Sequence, residues 1–341
     1  MNIEMYVLLF KKMVKCSLQS LVLIAVFFLV FVDLNHANAD ISLFKITSNG
    51  KVGFINEKGQ IRIEPRFDDA RDFSEGLAAV AVGNTWGFID SSGKIVIQPK
   101  FLNAYQFSNG LAAVITVARK VGYIDRTGLF IIPARFDFGG SFVGGLAPAQ
   151  IREQYGFINE KGETVVGFNL CAVLPFYNED LAPIKKDGKW GFINRTGKII
   201  IEPVFEDAGT FNSGLAPVRN HEKWGYIDKK GRLKILPMFE YASSFEQGLA
   251  AVSIEDKAGY IGTNGEFVIE PKFDSALPFT HGLAAVEISG KWGFIDKKGQ
   301  IVIPVKFDSV DYYWNGLISV SEGNKGGYIN LKGEYVWKAP N

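Results

Sequence analysis

The sequence predicts an all-β fold for residues 40–341, built as a tandem array of nine units of about 34 residues. Three observations carry this. A glycine followed by an aromatic residue and Ile recurs at a fixed period, every unit is made of short β-branched and aromatic runs, and a turn ending in glycine separates those runs at the same place each time.

The first thirty-nine residues stand apart. Lys11, Lys12 and Lys15 precede an apolar run from Leu21 to Val32, and a polar stretch follows that ends Ala37-Asn38-Ala39. A basic start, a short apolar segment and a small-x-small site predict a signal peptide at 1–39, with cleavage after Ala39. The run is short of the roughly 20 apolar residues of a spanning helix, and an uncleaved N-terminal membrane anchor is the alternative. Met13 would give a more economical start than Met1.

The repeat begins immediately afterwards. Gly53, Gly87, Gly122, Gly156, Gly191, Gly225, Gly259, Gly293 and Gly327 follow one another at 34 or 35 residues, each before Phe or Tyr and then Ile. The period alone also suits helical repeats, but no amphipathic stretch of helical length occurs within it. In the clearest unit, Leu283 to Ile288 reads as a first strand, Lys291 to Ile295 as a second and Gln300 to Ile303 as a third. Between the last two, Asp296-Lys297-Lys298-Gly299 has an Asx residue to bond its own backbone and a glycine for positive φ. A proline such as Pro304 is then expected to stop the ladder, because it has no N–H to donate.

The segment after each proline holds two aromatic ladders. Phe67, Phe101, Phe136, Leu170, Phe205, Phe239, Phe273 and Phe307 stand eight residues after a turn glycine. Phe73, Phe107, Phe142, Phe176, Phe211, Phe245, Phe279 and Tyr313 stand fourteen after it. One unit cannot cover two such rings alone, so neighbouring units are expected to stack on them.

Lys189-Trp190-Gly191-Phe192-Ile193, Lys223-Trp224-Gly225-Tyr226-Ile227 and Lys291-Trp292-Gly293-Phe294-Ile295, with Thr85-Trp86-Gly87 beside them, give the chain its resemblance to the WG-repeat (KWG-repeat) family. The resemblance spans essentially all of 40–341, although Val52, Val121, Tyr155, Ala258 and Gly326 replace the Trp. It implies the repeat architecture and little about chemistry, since such repeats are modules of poorly defined function. Nine units complete in phase, without strands shared between the ends, favour an open solenoid; a β-propeller-like ring is the alternative. The last unit lacks the proline and both loop aromatics, as expected of a terminal cap.

The search for chemistry turns up repeated rather than singular features. His221 and His281 fall at different repeat positions and belong to no spaced ligand set, so no metal site is expected. Asp68, Asp137, Asp274 and Asp308 follow a loop Phe, while Asp90, Asp125, Asp228 and Asp296 open turns. Recurring acids with a local backbone role point to structure rather than to one catalytic pair. Trp86, Trp190, Trp224 and Trp292 could stack sugars if exposed, but a repeat-fixed position and an adjacent glycine point to packing against a close backbone or bulge. Unit four, from Gly162 to Leu181, departs most: Leu170 replaces Phe, Cys171 follows, and Glu179-Asp180 carries an extra residue.

Removing 1–39 takes away three Lys and two acids, so 37 − 3 = 34 basic and 36 − 2 = 34 acidic residues remain. A neutral chain gives no electrostatic reason to expect nucleic acid or an anionic membrane. Cys171 is the one cysteine beyond Cys16, which excludes an internal disulfide in 40–341. The expected function is an exported, non-enzymatic repeat scaffold that binds a protein or an envelope polymer, without catalytic residues or cofactor. The alternative is a carbohydrate-binding or carbohydrate-active protein using exposed aromatic and acidic loop residues.

Overall fold

The computed structural model describes residues 42–339, apart from 178 and 324, so the expected leader 1–39 and its cleavage site after Ala39 lie outside the described residues. The described residues form nine small antiparallel sheets arranged in chain order. The first contains β1 (Leu43–Ser48), β2 (Lys51–Asn56) and β3 (Ile61–Phe67). The second contains β4 (Asp69–Ala70), β5 (Leu77–Val82), β6 (Thr85–Asp90) and β7 (Ile95–Phe101), hydrogen-bonded in that order.

The three-stranded meander therefore needs correction: eight of the nine sheets have four strands. The added strand leads each sheet, from the segment read as a loop. In the second unit it is only Asp69–Ala70, paired with Ala81 and Val80. Two residues are too few to show a period-2 pattern.

Proline does not end the third strand either, since β3 runs through Pro65 to Phe67. Val52 pairs with Phe67 and Phe54 pairs with Ile63, so the three residues 64–66 face the single residue Gly53. This is a bulge of three residues against one, and a bulge accommodates a residue without an N–H. It also explains the invariant glycine of the repeat. A Cβ on Gly53 would lie 2.5 Å from both the Ile63 carbonyl oxygen and the Pro65 nitrogen. The close backbone approach expected beside each Trp is thus present, and the bulged outer strand makes it.

Each sheet is a wedge. Ala78, Ala79 and Val80 of β5 are fully buried, whereas the next strand carries Trp86 and Phe88 and the outer strand ends in Phe101. Small residues inside and large ones outside set successive sheets closer together on one side, which bends the array. The aromatic ladders fill the seams. Phe54 meets Phe73 edge-on at 4.9 Å between centroids, Phe88 meets Phe107 at 4.9 Å, and Tyr260 meets Phe279 at 4.8 Å. Burial contributes about 1.5–3 kcal/mol for each such ring, and edge-on pairing adds about 0.5–1.5 kcal/mol.

The bend closes the array into a nine-bladed β-propeller, which overturns the preference for an open solenoid. Phe44, Ile46 and Ile55 of the first blade share a cluster with Trp314 and Leu317 of the ninth. The Phe44 and Tyr328 rings lie 5.6 Å apart, and the Tyr328 hydroxyl donates to the Lys45 carbonyl at 2.8 Å. That carbonyl faces the edge of the sheet where other blades carry their leading strand. In the seventh blade the equivalent Ala251 carbonyl accepts from the N–H of Ser243, the residue that follows that strand, at 2.9 Å. The ninth unit is therefore the first blade's neighbour rather than a solvent-facing cap.

Candidate functional site

The recurring acids are taken up by the fold. Asp68 accepts from Lys51 Nζ at 2.5 Å and from the Gly83 N–H at 2.7 Å. Asp137 does the same with Lys120 at 2.5 Å and Arg152 at 2.8 Å, and Asp274 with Lys257 and Ser289, each at 2.6 Å. Asp308 takes Lys291 and the Gly323 N–H. One carboxylate thus latches the hairpin turns of two consecutive blades, and the lysine in it holds the first position of the Lys-Trp-Gly signature, with Trp itself following at Lys291. These hydrogen bonds, the lysine's first, hold all four carboxyls below the usual range. The opposite turns use the second set. Asp90 Oδ1 accepts from the Ser92 and Lys94 N–H groups at 2.9 and 3.1 Å, and Gly93 takes φ +85°. Asp125 repeats this with Thr127 and Leu129, and Asp296 with Lys298 and Gln300. Asp228 is held down to about 2, first by its hydrogen bond from Arg232.

The Trp positions are mostly core. Trp86, Trp190 and Trp224 are buried and belong to three different seam clusters, while Trp292 is half-buried. His221 and His281 are exposed in turns with φ +48° and +51°, and His281 stacks on Tyr313 at 3.9 Å. Cys171 is a free, half-buried thiol. Among the described residues no group of three or more His, Cys, Asp or Glu is placed to hold a metal ion, and no helix is long and apolar enough to cross a membrane. The irregular Glu179-Asp180 makes seam contacts: Glu179 pairs with Lys229 at 2.5 Å and accepts from the Gly214 N–H at 3.1 Å.

Polar groups stitch the leading segments of neighbouring blades. Ser74 donates to the Phe107 carbonyl at 2.7 Å, Ser108 to that of Phe142 at 2.6 Å, and Ser244 to that of Thr210 at 2.9 Å. Asn212 donates to Glu246 at 3.0 Å, and burial pushes the Glu246 carboxyl up to about 7.

One constellation escaped the sequence reading. Lys185 and Asp207 are almost fully buried, at 4 % and 5 % exposure, and Arg219 approaches Asp207 with its Nη2 3.8 Å from Oδ2. Lys185 sits over the Trp190 ring and Arg219 over the Trp224 ring, at 5.9 and 6.0 Å. The available signal was two consecutive units with a cation five residues before the Trp.

A crystal structure of a eukaryotic initiation factor superposes with a TM-score of 0.61 at 10% sequence identity, covering 88% of this chain and 96% of that one. BamB from Moraxella catarrhalis aligns with a TM-score of 0.42 at 12% identity, over 87% and 90% of the two chains. At such identity the first likeness is one of fold. No curated protein matches in sequence. The model of the WG containing repeat matches eight times in tandem, at residues 53–86, 86–115, 122–154, 155–190, 190–224, 224–257, 259–292 and 292–325. Its glycine is the bulge contact and its lysine the blade latch, and on this repeated match the chain belongs to the WG-repeat family.

Proposed function

We propose that this protein is an exported, non-enzymatic scaffold whose closed ring presents turns and inner segments to a protein or an envelope polymer. The observation that carries this is the employment of the recurring acids. Each carboxylate that sequence pattern offers for catalysis or cation binding is already engaged, either with a lysine and a turn N–H or with its own turn backbone. The buried Trp residues likewise serve packing rather than sugar stacking. The leader pattern at 1–39 supports export, and the charge balance of 40–341 supports a partner other than nucleic acid.

The test is capture from envelope extracts on the immobilised protein, scored in parallel for proteins and for cell-wall glycan. A saturable protein partner, displaced by substitutions in the variable turn pairs of particular blades, supports the scaffold. Hydrolysis of a glycan that one acid substitution abolishes would overturn it. Mapping proceeds by surface substitution, because deleting a whole unit from a ring disturbs its closure.

A further inference from the structure

We propose that the inner edge of β1 is a docking site for an extended segment of a partner protein, which adds to the first blade as its fourth strand. The segment carries a carboxylate and, two residues on, a small side chain. The inference rests on the scaffold reading and names a place and a kind of partner for it.

Among the described residues the first blade is the one sheet without a leading strand. Elsewhere two backbone bonds hold that strand. The Asp68 and Arg71 N–H groups donate to the Ala81 and Ala79 carbonyls at 3.0 and 2.9 Å, and those of Asp274 and Leu277 to Glu287 and Ala285, each at 2.9 Å. One repeat earlier, Ala81 and Ala79 correspond to Thr47 and Lys45. Ser48 and Lys51 flank the two-residue turn Asn49-Gly50, so Ser48 and Ile46 bond to β2, while Lys45 and Thr47 direct their groups at the other edge. Thr47 is exposed, and no strand pairs with β1 on that side. The Lys45 carbonyl takes the Tyr328 hydroxyl at 2.8 Å. At the same repeat position Tyr123, Tyr226 and Tyr260 donate instead to Gly140, Ser243 and Leu277, in the leading segment of the following blade. Tyr328 thus caps an acceptor that a strand would use, and an arriving strand restores the partner its counterparts have.

The latch carries the charge argument. Asp68, Asp137, Asp274 and Asp308 each join a lysine of the preceding blade to a turn N–H of their own. At the closing seam those two places belong to Lys325 and to the Asn49 N–H, and the register puts Leu34 where the carboxylate would stand. A cation and a turn N–H beside an open strand position select an acid on the segment that enters it. The chain's own sequence does not match. By the same register it offers Leu34, His36 and Ala39 for the acid, the small residue and the Phe that Asp68, Ala70 and Phe73 supply in the second unit. A second copy has no leading strand to lend, since all eight are paired within their own sheets. A partner protein remains, held by main-chain bonds along an unpaired edge.

The probe is a labelled synthetic peptide with the sequence of residues 274–282, titrated against the isolated protein by fluorescence anisotropy. Saturable binding is expected, with slower amide exchange at Lys45 and Thr47. N-methylation of the peptide at Leu277 removes the donor to the Lys45 carbonyl and should weaken binding about tenfold, the scale of one hydrogen bond. Asp274→Lys in the peptide should weaken it by at least as much. Thr47→Pro in the protein blocks the edge, leaves the bonds between β1 and β2 in place and should abolish binding. The two peptide changes test the site even where that variant folds poorly. Absence of saturable binding overturns the proposal, including the case in which residues 34–42 already hold the edge, and so does binding indifferent to the N-methyl group. The capture experiment reads a partner at any surface and the peptide reads this edge alone, so either reading can fail without the other.

Discussion

Alanine in place of Gly191 tests the account of the repeat's glycine. A Cβ there would stand 2.5 Å from the Ile201 carbonyl oxygen, 2.6 Å from the Pro203 nitrogen and 2.8 Å from the Glu202 carbonyl carbon. Ordinary contact begins near 3.4 Å, so three atoms must each retreat by most of an ångström. All three are backbone atoms of one bulge, and no side chain can swing aside to absorb the methyl. The outer strand must lift, which loosens Phe205 opposite Trp190 and Ile201 opposite Phe192. Overpacking costs about 1–3 kcal/mol in cores that can adjust, and this rigid case belongs at the top, about 3 kcal/mol. For a domain of this size each kcal/mol moves the melting midpoint by about 2 °C. The matched control is Gly167→Ala, on the outer strand of the fourth blade, where a Cβ meets nothing within 4 Å. That change should be neutral or stabilise by about 0.4–1 kcal/mol through the unfolded chain. Urea and thermal unfolding followed by Trp fluorescence give both values. Equal stability of the two variants would refute the close-approach argument.

Other consequences can be measured in the same way. Tyr328→Phe removes the hydroxyl bonded to the Lys45 carbonyl and should cost about 1 kcal/mol, with faster amide exchange in β1 than in strands of the fifth blade. Glu246 is raised from 4.5 to about 7, so between those pH values the native state keeps a proton that the unfolded chain has released. Stability contributed at low pH is therefore lost as pH rises through that window, by up to about 3 kcal/mol for the full shift and about 1 kcal/mol once partial solvent screening is allowed for. Glu246→Gln should flatten that segment of the pH–stability curve, and an unchanged slope contradicts the assignment. Acrylamide should quench Trp292 and Trp337 well before Trp86, Trp190 and Trp224, as single-Trp variants would report.

Local geometry was legible wherever one residue type answers one requirement. Asp90 with Gly93 announces its turn because an Asx acceptor and a positive-φ glycine are needed three residues apart. Gly191 beside Trp190 announces a backbone too near for a Cβ. Pro203 was misread because its missing N–H suits both a strand end and a bulge, and sequence does not distinguish them. Asp207–Ala208 went unseen as a strand since two residues have no period. Closure was hidden because the ends contribute no shared strand: Phe44 and Trp314 meet only once the wedge angles of all nine blades have accumulated. Nothing within one unit marks Lys185 as buried, and only the packing of neighbouring blades leaves it 4 % exposed.

The Tyr328–Lys45 seam also changes how the molecule comes apart. In a linear stack a terminal unit melts by giving up one interface, so such arrays fray from their ends. A ring has no unit with a single neighbour. The first blade must release the second and the ninth together, and the first opening event severs a seam without freeing any unit. Partly melted states are thereby suppressed, and loss of structure is pushed toward an all-or-none transition. The cooperativity of unfolding is then governed by that one seam, and a change confined to it should broaden the transition as well as shift it.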